Sequence, residues 1–191
     1  MFLPIFRSAG YAGYWGRRKV ALQSEAPQGA EVYRFPVAAL ILVPLVALVL
    51  QALLPLYFRS ISVLNLPLLL VIYFALARRS ALAGIFSGAV IGLAQDSLSR
   101  DPIGLYAITA TVTGFLASVV SSRMEVENSG LRFIVISILY YIQFFVVYAL
   151  DVGLLGQGME LSPGATAAAA LVNGLTGVVL FKVLDRFRKP A

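Results

Sequence analysis

Long apolar runs constrain this chain more than any other feature of its sequence. Residues 35–58, 80–98, 102–122, 131–155 and 164–184 are each long enough to cross a hydrocarbon core as a helix, which takes roughly 20 residues for about 30 Å. None of these runs alternates polar and apolar residues, which argues against a transmembrane barrel. A sixth run, residues 66–77, is only about 18 Å long at 1.5 Å per residue. It spans a bilayer only if it starts near Ile61 and carries Asn65 and Pro67 within it, so a short, bent or tilted helix is expected there. With a mean hydropathy of +0.88, the pattern predicts an all-α integral membrane protein of six transmembrane helices.

Charge sets the orientation. Thirteen of the fifteen Lys and Arg fall on one side if the amino-terminal arm, the 78–79 link, the 123–132 loop and the carboxyl tail are taken together. The other side holds Arg59 and Arg100 with four of the nine acids. The positive-inside rule then puts both termini in the cytoplasm. Three segments follow: a basic and aromatic arm over 1–34, a membrane domain over 35–187 and a tail over 188–191. The opening MFLPIF is too short for the core of a signal peptide. The net charge of +6 is accounted for by cytoplasmic loops rather than by nucleic acid. The chain has no Cys and no His, which removes thiol chemistry and the commonest zinc and haem ligands, so no cofactor and no metal is expected.

The third run carries the most pattern. Ser80, Gly84, Gly88, Gly92 and Asp96 recur every four residues, which puts them on one face of a helix as a groove of exposed backbone ending in a carboxylate. The fourth run has its own small residues at Ala110, Gly114 and Ser118. The two rows are read as helix packing within the chain or as a surface for a partner. Asp96 lies at the unfavourable end of its helix dipole and needs a partner, either Arg100 or the free amides that open the next helix. Asp101 followed by Pro102 reads as a cap and first position for that helix. Asp96 with Asp101 is the nearest approach to a catalytic carboxylate pair, and a weak one. Gln143 and Asn173 sit near the middle of the fifth and sixth runs, where they could bond each other or line a polar pocket. Tyr140, Phe144 and Tyr148 form an aromatic row on the fifth, read as packing or lipid contact.

Residues 68–107, with IYFAL, then basic residues, then Gly92, Asp96, Ser99, Pro102, Gly104 and Leu105, resemble the signature region of the bacterial rod shape-determining protein MreD family. The resemblance implies a non-catalytic, multi-pass scaffold subunit of the inner membrane, part of the cell-elongation machinery that supports lateral-wall peptidoglycan synthesis and cell shape. It implies binding to an MreC-like bitopic protein and, through it, to a RodA-type polymerase and a class B penicillin-binding protein. It further implies a fold similar to the substrate-binding subunits of energy-coupling-factor transporters. That likeness, with Gln143 and Asn173, leaves a second expectation: a subunit that binds a vitamin-type or lipid substrate for a membrane transporter.

Overall fold

The described residues, 37–57, 63–99, 101–154, 156 and 162–186, form a helical bundle in a computed structural model. Six helices follow in order: α1 (Val37–Tyr57), α2 (Leu66–Arg78), α3 (Ala81–Leu98), α4 (Leu105–Arg123), α5 (Ser129–Gly153) and α6 (Pro163–Asp185). The arm over 1–34, the tail over 188–191 and Arg100 lie outside the described residues. Four helices, α3 to α6, are long and apolar enough to cross a membrane. A shorter apolar part of α1, Leu40–Leu53, and the whole of α2 complete the set.

The core is built on α2. This helix has 13 residues, about 20 Å, and Leu68 to Ala75 are all buried. An apolar run of that length with no polar face is a core helix, and every other helix packs against it. It is short, as expected, and does not start near Ile61 with Asn65 and Pro67 inside it: it opens at Leu66, with Asn65 as its cap and Pro67 in its first turn. The Asn65 side chain accepts the Leu68 N–H at 3.2 Å, and Pro67 occupies the first turn, where a missing N–H costs no bond. At the other end Arg79 adopts a left-handed φ of 47° and its N–H returns to Ala75 O.

Non-helical backbone at 63–65 is tolerated among helices only if its polar groups are satisfied by protein. Two side chains do this. Gln51 of α1 donates to Leu64 O at 2.8 Å and accepts the Leu66 N–H at 3.0 Å. Asn173 of α6 donates to Val63 O at 2.8 Å and to Ala169 O at 2.9 Å, while its oxygen accepts the Asn65 N–H at 2.8 Å. Asn173 is ten residues into α6, about 15 Å along its axis, so α2 begins deep inside the bundle.

The opposite end is tied by charge. The 123–132 loop is shorter than expected, because Asn128 caps α5 by accepting the Gly130 N–H at 3.1 Å and the helix starts at Ser129. Arg132 is therefore helical and buried. It donates to Val126 O at 3.0 Å and to Asp185 at 2.6 Å, and it lies over the Phe181 ring at 6.0 Å. The Tyr73 hydroxyl donates to the other Asp185 oxygen at 3.2 Å, which joins α2, α5 and α6.

Candidate functional site

The third and fourth helices run antiparallel, and their small residues meet rung by rung. A Cβ built on Gly84 would strike Gly114 O and the Ser118 hydroxyl; one on Gly88 would strike Ala110 O. On Gly92 it would stand 2.5 Å from Tyr106 O. Each step of four along α3 is matched by a step of four back along α4, so the groove is filled by the backbone of the neighbouring helix. Ser118 assists by turning its hydroxyl onto Gly114 O at 2.9 Å, which leaves no polar group unpaired in the contact. Gly84, Gly88 and Gly92 thus face inward, and the outward side of α3 is Leu82, Phe86, Val90 and Leu93.

Asp96 is the next rung. Because the glycines bring the two backbones together, its side chain reaches the opening turn of α4. One carboxylate oxygen accepts the Gly104 N–H at 2.9 Å and the Ala107 N–H at 3.0 Å; the other accepts the Tyr106 N–H at 2.9 Å. The group is 2% exposed. These are helix amino-terminal amides at the positive end of a dipole, which offsets the poor placement of Asp96 on its own helix. A carboxylate held by three N–H groups is a structural acceptor, with both oxygens committed.

Asp101 and Pro102 do not start α4, as their order suggested. The helix begins at Leu105, after Gly104 in a left-handed conformation with φ 103° that only glycine adopts easily. Asp96 supplies from across the turn the acceptor that a local cap would have provided. Ser99 holds the turn itself: its hydroxyl donates to Asp96 O and accepts the Asp101 N–H, both at 3.3 Å. Among the described residues no group of three or more His, Cys, Asp or Glu could hold a metal ion.

Gln143 and Asn173 are not brought together. The two N–H groups and the oxygen of Asn173 are taken by Val63, Ala169 and Asn65, so nothing is left for a bond across to α5. Gln143 instead lines a cavity of about 320 Å³ with Gln51, Asn65, Gln95, Tyr106 and Tyr140, where its buried Oε1 has no hydrogen-bond partner. The Arg132–Asp185 pair was missed by sequence reasoning, because its members are 53 residues apart and no local spacing relates them.

The family model for the rod shape-determining protein MreD matches residues 33–185. This chain belongs to the MreD family. No curated protein and no solved structure matches it. The matched region covers all six helices and thus the whole hairpin from Gly84 to Ser118. Membership makes this a rod shape-determining membrane protein, of a structural family. The spacing read along residues 92–105 has, in this MreD-family chain, a geometric content: close backbone packing that ends in an aspartate cap.

Proposed function

We propose that this chain is a non-catalytic scaffold subunit of the bacterial cell-elongation complex, crossing the inner membrane six times with both ends in the cytoplasm. The observation that carries the reading is the family match over residues 33–185. In this orientation the Asp96 end of the bundle faces the periplasm and the Arg132–Asp185 end faces the cytoplasm, in keeping with the distribution of Lys and Arg. The six-helix layout is read as akin to that of energy-coupling-factor substrate-binding subunits. Its partners are an MreC-like bitopic protein and, in the larger assembly, a RodA-type polymerase with a class B penicillin-binding protein.

The glycine groove is not the face offered to them, since α4 fills it. The partner surface belongs to outward residues, for which the Leu82, Phe86, Val90 and Leu93 side of α3 is the first choice, next to the hairpin that the resemblance rests on. The chain has no cysteine, so single cysteines at these four positions give an unambiguous crosslinking test in membranes that also hold the MreC-like protein. Crosslinks to that protein from the α3 positions, and none from a cysteine at the exposed Val179 of α6, are expected. Failure of the two proteins to co-purify, with no crosslink from any position, would contradict the reading. The alternative of a transporter's substrate-binding subunit rested on the likeness in fold, on the aromatic fifth run and on Gln143 together with Asn173. Asn173 is committed to the start of α2, so the pair no longer supports that alternative, whereas the cavity at Gln143 does.

A further inference from the structure

The cavity bounded by α1, α3, α4, α5 and the start of α2 contains a group without a partner in the fold. Its volume of about 320 Å³ is at the lower end of small-ligand pockets, roughly 300–1,000 Å³. Gln143 is 3% exposed, and its Oε1 is an acceptor without a donor. Leaving a buried amide oxygen unpaired is costly, so the site is built for something that donates. Gln95, Tyr106 and Tyr140 add hydrogen-bonding groups to the walls, and Phe144 adds an aromatic one.

Among the described residues no Asp, Glu, Lys or Arg lines this space. A charged ligand would lose its hydration there with no opposite charge among the described lining residues to replace it, which favours an uncharged one. An adjoining void of about 180 Å³ shares Gln51, Gln95 and Tyr106 with the first and continues to Leu48, Ala52, Leu98 and Ser99. Ala52 and Leu98 are exposed on the sides of α1 and α3, toward the end of the bundle that carries Asp96. A polar chamber that opens past Leu48, Ala52 and Leu98 on membrane-spanning helices suits the headgroup of an amphiphile whose chains stay outside. We propose that this cavity binds the uncharged, hydroxyl- or amide-bearing headgroup of a membrane lipid, which enters between α1 and α3 and donates a hydrogen bond to Gln143 Oε1.

The site does not depend on the partner reading above. To test it, the full chain is reconstituted in phosphatidylcholine nanodiscs containing monoglucosyldiacylglycerol, released into a zwitterionic detergent, and weighed by native mass spectrometry. The glycolipid is retained in preference to phosphatidylcholine by the wild type. Gln143→Met, close to glutamine in length, lowers that retention about tenfold, the loss expected when one buried hydrogen bond is removed. Circular dichroism verifies the helices of the variant. Should Gln143→Met not fold, Gln95→Leu at the partly exposed wall must reduce retention several-fold. Protection of the protein against heat by free glucose, with no glycolipid retained, would overturn the lipid as the source of the headgroup. Equal retention by wild type and Gln143→Met, or no retention by the wild type, as a merely water-filled cavity would give, overturns the proposal.

Discussion

Asp96 accepts the backbone N–H of Gly104 at 2.9 Å, so the last turn of α3 holds the first turn of α4. The contact is possible only because Gly84, Gly88 and Gly92 let the two backbones approach over the preceding three turns. Ladder and carboxylate are one device: the glycines set the distance and the aspartate fixes the end.

The device predicts unequal costs at Asp96. Asparagine keeps the shape but presents N–H groups where one carboxylate oxygen accepted, and should destabilise the protein by about 2 kcal/mol; alanine frees all three amides and should cost about 3–5 kcal/mol. Thermal unfolding in detergent, followed by circular dichroism, orders the wild type above Asp96→Asn and Asp96→Asn above Asp96→Ala.

Gly88 tests the ladder without touching the cap. A Cβ there meets Ala110 O and stands 2.8 Å from Thr111 Cα, both backbone atoms of α4 that cannot move alone. Gly88→Ala should cost about 1–3 kcal/mol or more through forced separation of the helices. Gly164→Ala is the control, since nothing lies within 4 Å of its added methyl and the substitution favours the helix. Its unfolding midpoint should stay at or slightly above that of the wild type.

Much of this architecture could be read from the chain. Ser80 and Ser162–Pro163 mark the starts of α3 and α6, and both helices begin within a residue of the expected place; the first-turn Pro163 is a local signal for α6, while neither serine side chain caps its helix. The start of α4 was misread for the same reason: the local signal at Asp101–Pro102 is overridden by the left-handed Gly104 and by a cap that comes from another helix. Asn173 was placed correctly near the middle of α6, but its partners could not be found. They are backbone groups at 63 and 65, exposed to it only because α2 starts so deep in the bundle.

Arg132 and Asp185 should behave as a coupled pair. Arg132→Met alone takes a bonded cation from the Asp185 carboxylate and should cost about 3 kcal/mol or more, whereas Arg132→Met with Asp185→Leu should recover a good part of the loss. A double-mutant cycle on unfolding midpoints measures the coupling. Additive losses would mean that the ion pair contributes little to this end of the bundle.

Asn173→Leu tests whether one side chain holds the start of α2. It removes two donors from Val63 O and Ala169 O and the acceptor for the Asn65 N–H, with an expected cost of about 2–4 kcal/mol. Proteolysis between α1 and α2 should accelerate in the variant, with cleavage elsewhere unchanged.

The most direct test of the central claim is amide hydrogen exchange at Gly104, Tyr106 and Ala107, the three N–H groups held by Asp96, measured by NMR in nanodiscs. All three should be protected in the wild type and should lose that protection in Asp96→Asn or Asp96→Ala, while amides in the middle of α4 such as Thr113 keep theirs. Unchanged protection at the three positions in both variants would contradict the account, since the start of α4 would then be held by something other than Asp96.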